Sequence, residues 1–431
     1  MTVLVFLAAL IGSMAIGMPV AFSLVVTGVA LMTWQGIYDT QIVAQKILDG
    51  SDSFVLLAIP FFLLAGELMN AGGLSKRIVN FALALVGHRH GGLGYVAIVA
   101  AIIMASLSGS AAADTAALAA ILIPMMRNAG YDVPRSAGLI AAGGIIAPVI
   151  PPSIGFIVFG VAANVSIPRL FVAGIVPGIL MGLSLVIAWY IVAKKETMGS
   201  FPRRSWAERF QALRDGIFAL AMPIFVLGSI RFGWATPTEA AVVSAVYALI
   251  VGMFVYRELK PRALYHVFLA AAKMTAVVMF LVAAAGISSW LITQANIPGE
   301  LAGVLEPLLD DPKILMLGMM VLVLIVGTAL DFTPTVLILT PVLMPIVKQA
   351  GIDPIYFGVL FIMNNAIGLI TPPVGIVLNV VSSVAKVSMT QVIRGVNPFL
   401  LAQTGCLLLM VAVPQIVIWP YRYFLGLPFR W

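Results

Sequence analysis

The sequence predicts an all-α polytopic membrane protein with two inverted-topology repeats, each carrying a re-entrant hairpin and interrupted helices. Composition and an internal duplication lead to this class. Of the 431 residues, 62% are hydrophobic and only 10% are charged, whereas soluble domains carry about 25% charged residues. Apolar runs of about 20 residues recur from end to end, and each is long enough to cross about 30 Å of hydrocarbon.

The duplication is clearest in the segment Leu122–Asp132, which is matched by Leu343–Asp353 at an offset of 221 residues (122 to 343). A proline, a basic residue, a glycine and an aspartate keep their register between the two copies. At the same offset, the double proline Pro151–Pro152 recurs as Pro372–Pro373. A duplicated segment in a chain this apolar is the sign of a transporter built from two repeats.

Small or polar residues interrupt the apolar runs beside both copies. An interrupted helix leaves carbonyls unpaired at the end of one half and amides unpaired at the start of the next. Carbonyl and hydroxyl oxygens bind Na⁺, while the amides attract a carboxylate. Small residues also serve close helix packing, but their recurrence at one offset favours a binding role. The predicted breaks are Ser106–Ser110, Ala147–Ser153, Gly327–Asp331 and Gly368–Val374.

Polar side chains in or beside these breaks are candidates for substrate or ion contacts. A carboxylate inside the membrane is costly and usually functional, although Asp114 and Asp331 are equally suited to cap the second half-helices. Asn364 and Asn365 precede the second double proline and are suited to hydrogen-bond a substrate. The remaining candidates are serines in or near the predicted turns: Ser108, Ser110, Ser288 and Ser289.

The first repeat covers residues 1–193. Phe54–Gly73, with Pro60 inside it and a glycine pair at its end, is predicted to be a re-entrant hairpin, and a plain kinked spanning helix is the alternative. The other predicted elements are spans at 2–16, 19–35 and 170–193, a surface helix at 36–50, an interfacial helix at 74–90 and interrupted helices at 91–127 and 135–165.

A basic linker, residues 194–215, joins the repeats, and the second repeat covers residues 216–420. Its re-entrant hairpin is predicted at 274–298 with the tip at Gly286–Ser289, again with a spanning helix as the alternative. The other predicted elements are spans at 216–231, 237–256 and 395–420, interrupted helices at 313–348 and 354–387, and an aromatic interfacial tail at 421–431.

The net charge of +7 comes largely from two short stretches, Lys194–Arg214 and Arg257–Arg262. Such clusters mark cytoplasmic loops of a membrane protein rather than a nucleic-acid partner. Crossings counted outward from them place both termini in the periplasm, so that the two repeats are inverted. The same count leaves His88–His90 outside, against the charge rule.

Several chemistries are excluded or disfavoured. The single cysteine, Cys406, excludes an internal disulfide, and three histidines leave little for a metal site or a histidine base. An intramembrane aspartyl protease acting through Asp114 and Asp331 would share a proton between two carboxylates, but the Gly-x-Gly-Asp pattern is absent. The chain is therefore expected not to be an enzyme. Its apolar N-terminus lacks a basic leader and is expected to be a retained helix.

A set of specific motifs spans essentially the whole chain: Leu57–Gly66, Asn70–Gly73, Leu107–Ser110, Pro151–Ile154 and Gly368–Gly375. Together they resemble the large membrane subunit of a TRAP transporter, the tripartite ATP-independent periplasmic kind. The resemblance implies a Na⁺-driven importer of an organic acid in the bacterial inner membrane. The acid would be a C4-dicarboxylate, a sugar acid or a sialic-acid-like compound. The resemblance also implies an elevator mechanism.

The resemblance also implies site residues, carried over motif by motif. One Na⁺ site would use Ser106, Ala147, Ile150 and Ser153. A second would use, largely through backbone oxygens, Gly327, Gly368, Thr371 and Val374. Because Ala147 stands where the second repeat has Gly368, the backbone of the first site departs from that of the second.

Two protein partners follow from the resemblance: a separate small four-helix membrane subunit and a periplasmic substrate-binding protein. Na⁺ is the expected coupling ion, and no organic cofactor is expected. The substrate is expected to bear a carboxylate, and the chain is expected to be embedded in the lipid bilayer. The alternative is a stand-alone Na⁺/anion symporter that works without a binding protein.

Overall fold

The computed structural model describes residues 2–195, 198–199, 201–296, 299, 311–426 and 428. Regular structure in these residues is helical. Within them, eight helices are long and apolar enough to cross a membrane. The expected all-α polytopic class is therefore confirmed.

The predicted spans and surface helix of the first repeat match observed helices, whereas the segments around 54–73 and 91–127 differ. The observed helices are α1 Thr2–Ala15, α2 Val20–Trp34, α3 Thr40–Ser51, α4 Ala58–Ala71, α5 Leu74–Val86, α6 Gly92–Ser108, α7 Ala111–Asn128, α8 Val133–Gly144, α9 Ile154–Ala163 and α10 Ile167–Ala193. A single 3₁₀ turn, Phe54–Leu57, leads into α4.

The second repeat begins earlier than expected, because a capping box at Ser205 and Glu208 starts a helix inside the predicted linker. Its helices are α11 Trp206–Arg231, α12 Pro237–Ile250, α13 Pro261–Gln294, α14 Pro312–Ala329, α15 Phe332–Gln349, α16 Pro354–Gly368, α17 Ile376–Ala385, α18 Met389–Ala412 and α19 Gln415–Leu425. The predicted tail is helical up to Leu425, and its end at Trp431 lies outside the described residues.

The predicted interrupted helix at 91–127 is wrong, because the chain reverses direction at Gly109. The backbone amide of Leu93, at the start of α6, donates to the hydroxyl of Tyr131, which follows α7, at 3.3 Å. The outer ends of α6 and α7 therefore lie together, and the pair forms a helical hairpin, here called hairpin A. Gly109 makes the turn with φ of +63°, a conformation that glycine adopts without steric cost.

The predicted interrupted helix at 313–348 is likewise a hairpin, formed by α14 and α15 and called hairpin B. Lys313 at the start of α14 and Gly351 just after α15 line the same small cavity, so the outer ends of this pair also lie together. The turn falls between Ala329 and Phe332. Hairpins A and B occupy equivalent positions in the two repeats.

The two predicted re-entrant hairpins are wrong, and the spanning-helix alternative holds in both places. α4 packs along α12: the hydroxyl of Thr238 donates to Phe54 O (3.3 Å), and Gly72 approaches Gly252 at the far end. Pro60 is tolerated because it lies in the first turn of α4, where its missing N–H has no helical acceptor. In the second repeat, α13 continues without a break through Gly286–Ser289.

The interrupted helices predicted at 135–165 and 354–387 are confirmed. α8 stops at Gly144 and α9 starts at Ile154, which defines break 1 (residues 145–153). α16 stops at Gly368 and α17 starts at Ile376, which defines break 2 (residues 369–375). The duplicated aspartates Asp132 and Asp353 cap α8 and α16 through their carboxylates, and each double proline contains a cis peptide bond.

The second arm of each hairpin packs against the broken helix of the other repeat. α7 packs on α17, where Arg127 donates to Ala385 O (2.7 Å). α15 packs on α9, where the ring of Phe332 fills the space beside Gly155. The two repeats therefore share one core rather than forming separate bodies.

The basic segments collect at one end of the molecule, here called the linker face. His90 bonds to Ala193 O (2.9 Å), and Arg77 pairs with Glu258 (2.6 Å), so both ends of α5 lie on this face. α10 spans 27 residues from there to the opposite face, where Arg422 pairs with Asp353 (2.9 Å). Because hairpin A does not cross and α4 does, His88–His90 moves to the linker face and the conflict with the charge rule disappears.

Candidate functional site

The tips of hairpins A and B meet breaks 1 and 2, and this junction is the candidate site. A Cβ added at Gly109, in the tip of hairpin A, would lie 2.8 Å from Pro152 O and 3.2 Å from Ser153 Cα in break 1. Gly327, near the tip of hairpin B, touches Gly368 at break 2. Both predicted pairs of interrupted segments therefore come together in space.

The tips of the two hairpins use equivalent capping residues. Ser110 caps α7 by accepting from the backbone amide of Ala113 (3.4 Å), and Asp331 caps α15 by accepting from that of Phe332 (2.7 Å). Ser110 and Asp331 are separated by the repeat offset of 221 (110 to 331). The structure thus shows the capping interpretation for Asp331 and pairs it with Ser110 rather than with Asp114.

Asp114 has a different environment, inside the first turn of α7. Its side chain is 2% exposed, and Oδ1 accepts from the hydroxyl of Ser108 at 2.5 Å. Among the described residues, the other carboxylate oxygen and the hydroxyl of the neighbouring Thr115 have no hydrogen-bond partner. Two buried oxygens behind the tip of hairpin A therefore have no partner among the described residues.

The first predicted Na⁺ set is buried around break 1. Ser106 donates to Ile103 O (2.6 Å), so the lone pairs of its hydroxyl oxygen are the part left to bind a ligand. Ser153 caps α9 by accepting from the amide of Phe156 (3.2 Å), and its hydroxyl donates to Pro148 O. Ala147 and Ile150 lie within break 1, and both are buried.

The second predicted Na⁺ set is a point of close backbone approach. A Cβ added at Gly368 would lie 2.8 Å from the carbonyl carbon and oxygen of Gly327. Gly327 lies in the last turn of α14, whose final carbonyls have no intrahelical donors. Asn365 borders the same point: its amide donates to Phe332 O (2.8 Å), while its buried Oδ1 has no partner among the described residues. Unpaired oxygens therefore converge here.

Break 2 is open, whereas break 1 is closed. Val374 is 40% exposed, while Ser153 at the equivalent position is 0% exposed. Thr371 lies at the edge of the opening and donates to Ile367 O (2.8 Å). The αL residue Gly375 starts α17 without a side-chain cap. The amides of Val377 and Leu378 donate to Leu369 O (3.1 Å) and Gly375 O (2.8 Å), so the amide of Ile376 is the one at this helix start left to an anion among the described residues.

Two of the predicted contact residues, Ser288 and Asn364, tie neighbouring helices together. The hydroxyl of Ser288 donates to Leu24 O in α2 (3.0 Å), and Ser289 is its partly buried neighbour on α13. Asn364 donates to Met320 O (2.5 Å) and ties α16 to α14. These side chains hold helices together around the site.

Two polar residues of α4 lie at the site, although from the sequence Glu67 was expected to reach the interface and Asn70 was noted only as part of a family motif. Glu67 and Asn70 line a small cavity with Ser108 and Ser110 of the hairpin A tip. Gly66 lets that tip approach, since an added Cβ would lie 3.0 Å from Ser108 Cβ. Polar residues three apart in an otherwise apolar helix were the available signal, because positions i and i+3 share a face.

Inverted repeats, helical hairpins and helices broken beside them define a membrane transporter. The chain is matched over residues 7–416 by the family described as "Tripartite ATP-independent periplasmic transporter, DctM component". It therefore belongs to the family of TRAP transporter large permease proteins.

Individual relatives agree with this assignment. The chain is 55% identical over 423 residues to the 2,3-diketo-L-gulonate TRAP transporter large permease protein YiaN of Escherichia coli (strain K12), covering 98% of this chain and 100% of that protein. It is 38% identical over 416 residues to the sialic acid TRAP transporter large permease protein SiaM of Vibrio cholerae serotype O1, covering 96% and 97%.

A solved structure shares the fold. The YdaH transporter of Alcanivorax borkumensis, whose topology is described as unusual, superposes with a TM-score of 0.63 over 89% of this chain and 91% of that one. The sequence identity is 13%, so the likeness concerns the fold alone.

Proposed function

We propose that this large permease imports an organic acid driven by a Na⁺ gradient. The observation that carries the proposal is the convergence of the helix-end carbonyl of Gly327 and the unpartnered Oδ1 of Asn365 at the close approach to Gly368, beside the exposed start of α17 at break 2. Oxygens of this kind suit Na⁺, and the positive dipole end of a helix, with the remaining amide of Ile376, suits a carboxylate. The two charges would then bind side by side at one opening.

The substrate class follows from that chemistry and from the relatives. YiaN is named for diketogulonate and SiaM for sialic acid, both of which carry a carboxylate. Because YiaN is 55% identical to this chain, it favours a sugar acid as the substrate. Among the described residues, the site offers a helix-start amide, hydroxyl groups and an asparagine rather than a fixed cation, which suits a substrate with one carboxylate and several hydroxyls.

The proposed mechanism is an elevator, in which the hairpins and broken helices move as one unit. The hairpins contribute α6, α7, α14 and α15, and the broken helices contribute α8, α9, α16 and α17. The packing of α7 on α17 and of α15 on α9 links these eight helices of the two repeats into one body. The helices α1–α5 and α11–α13 would form the stationary scaffold. Closure at break 1 and exposure at break 2 correspond to one end point of such a movement.

The proposal includes two partners: a separate small membrane subunit and a periplasmic binding protein that delivers the acid. It also places the chain in the bacterial inner membrane with both termini in the periplasm. The alternative, a stand-alone Na⁺/anion symporter, has the same breaks but needs no binding protein.

Reconstitution separates these functions. Proteoliposomes with the chain alone are expected to show little uptake of a radiolabelled sugar acid. Adding the small subunit and the loaded binding protein should restore uptake only under an inward Na⁺ gradient. Strong uptake by the chain alone would favour the stand-alone symporter, and uptake indifferent to Na⁺ would remove the coupling ion from the proposal.

A further inference from the structure

The turn between α5 and α6 is packed against the linker and the start of α11. The backbone amide of Phe201 donates to Gly87 O (3.4 Å). The charged sequence His88-Arg89-His90 directly follows Gly87. This contact joins the base of hairpin A to the segment that connects the two repeats.

Positive side chains from both segments face one another at this contact. The pKa of His88 is lowered by desolvation, and further by the positive charges of Arg209, Arg203 and Arg89. Among the described residues, the charges that act on His88 are all positive. Glu208, the nearby acid on α11, instead accepts from the backbone amide of Ser205 (2.6 Å) as a helix cap. The charges that act on His88 therefore form a cluster of one sign.

Arg209 shows the consequence most directly. Its Nε and Nη2 atoms are shielded from water and have no hydrogen-bond partner among the described residues. The guanidinium lies over the ring of Trp206, 5.2 Å from the ring centroid. Shielded donors without an acceptor are unfavourable, and Nη1 is not among the shielded atoms. An external anion with several acceptor oxygens would therefore reach the guanidinium through Nη1.

The cluster lies at the level where α11 enters the membrane. Trp206 and Phe210 project from the first turns of this spanning helix and are 80% and 69% exposed. Aromatic side chains of this kind concentrate at the membrane–water interface. Basic groups beside them attract anionic lipids through the surface potential of the cytoplasmic leaflet.

We propose that His88, Arg89, Arg203 and Arg209 form a binding site for the phosphate headgroup of an anionic phospholipid. The phosphate oxygens accept from the guanidinium groups, and Trp206 and Phe210 lie against the glycerol and acyl region. The bound lipid neutralises the cluster and holds the base of hairpin A to the linker between the repeats.

Purified protein in neutral detergent tests this site with added phosphatidylglycerol or phosphatidylcholine. Phosphatidylglycerol is expected to raise the melting temperature and to appear as a bound adduct in native mass spectra, whereas phosphatidylcholine is not. The double variant Arg203→Gln/Arg209→Gln should weaken the response at least five-fold in half-saturating lipid, and Arg209→Lys, which keeps the charge, should retain part of it. An equal response in wild type and double variant would overturn the proposal.

A matched control removes the same charge nearby. Lys76 and Arg214 line a neighbouring cavity that also contains Asp215 and Glu258, so Lys76→Gln/Arg214→Gln should leave the lipid response unchanged. Loss of the response in this control would show a general charge effect and contradict the site.

The source of the phosphate is tested separately. Inorganic phosphate at millimolar concentration is expected not to reproduce the stabilisation, and Trp206→Ala should weaken lipid binding because the acyl contact is lost. Stabilisation by inorganic phosphate alone would replace the lipid by a free anion. Neither readout involves transport, so the outcome is independent of the proposed function.

Discussion

Ser106 and Ser184 make the same local bond in different places, which allows a test at the level of single residues. Each hydroxyl donates to the carbonyl three residues earlier, at 2.6 Å and 2.7 Å. Ser106 lies beside break 1, whereas Ser184 lies in the middle of α10. The oxygen lone pairs of Ser106 are therefore the feature to be tested.

Ser106→Ala is expected to raise the Na⁺ concentration for half-maximal uptake by roughly 5- to 150-fold. This range corresponds to the loss of a buried polar partner, about 1–3 kcal/mol. The measurement is uptake by the reconstituted complex over a series of Na⁺ concentrations. Ser184→Ala should leave the curve unchanged, and an unchanged curve for Ser106→Ala would remove Ser106 from the ion site.

Thr371→Val is the corresponding test at break 2. The substitution keeps the shape of the side chain but removes an oxygen whose hydrogen is already donated to Ile367 O. A rightward shift of the Na⁺ curve of similar size is expected, with normal expression. Thr340→Val is the control, because Thr340 is fully buried in α15 and its hydroxyl has no partner among the described residues. A shift for both variants would indicate a packing effect instead of a lost ligand.

Single residues also show what the sequence leaves undecided at the site. Asp114 and Asp331 look alike in sequence, as carboxylates in apolar runs beside a break. The structure separates them, because Asp331 caps α15 while Asp114 accepts from Ser108 inside α7. The difference depends on the backbone of the turn, which hydropathy does not report.

Breaks 1 and 2 show, at the level of elements, how far the sequence could predict the fold. Small residues and a double proline at a fixed offset identify where helices stop. They do not indicate whether the chain continues or reverses, since both arrangements have the same hydropathy. The reversal at Gly109 is evident from a contact between Leu93 and Tyr131, which are distant in sequence.

The prediction of a re-entrant hairpin at 274–298 is wrong for a different reason. Gly286-Ile-Ser-Ser289 looks like a turn, yet α13 continues through it, because the small residues serve packing. A Cβ at Gly50 of α3 would lie 3.1 Å from Gly286 Cα, so the glycine pair permits a close helix contact. Composition alone does not distinguish such a contact from a break.

Gly368→Ala tests the close approach of α16 and hairpin B. The added methyl group would collide with the backbone of Gly327, and backbone atoms cannot rotate away as a side chain does. We expect uptake to fall at least ten-fold while the protein still reaches the membrane. Gly405→Ala in α18 is the control, since nothing lies within 4 Å of its added Cβ, and it should keep full uptake. Equal uptake by both variants would contradict a role for this contact.

At the scale of the whole molecule, two differences between the predicted and the observed elements compensate each other. The sequence predicts that 91–127 crosses the membrane and that 54–73 turns back, whereas in the structure hairpin A turns back and α4 crosses. The number of crossings between the linker and the N-terminus is therefore unchanged, and the same exchange occurs between α13 and hairpin B. The sidedness predicted from charge is therefore unaffected by the misassigned elements and stays a prediction.

Cysteine labelling checks the sidedness of the whole molecule. Ser200 in the linker and Trp431 in the tail lie outside the described residues, so Lys195 and Tyr423 serve as the labelled positions, because both are exposed. Lys195 follows α10 on the linker face, and Tyr423 lies in α19 beside the Arg422–Asp353 pair on the opposite face. The native Cys406 is buried and should react little.

In intact cells, a membrane-impermeant maleimide is expected to label Tyr423→Cys but not Lys195→Cys. After the membrane is permeabilised, both should react, which controls for local accessibility. The physical reason is that basic segments on the linker face are retained in the cytoplasm, while α10 carries the chain across to the other side. Labelling of Lys195→Cys from outside would reverse the orientation. It would also place the lipid cluster on the periplasmic leaflet, against the surface potential that is expected to attract its ligand.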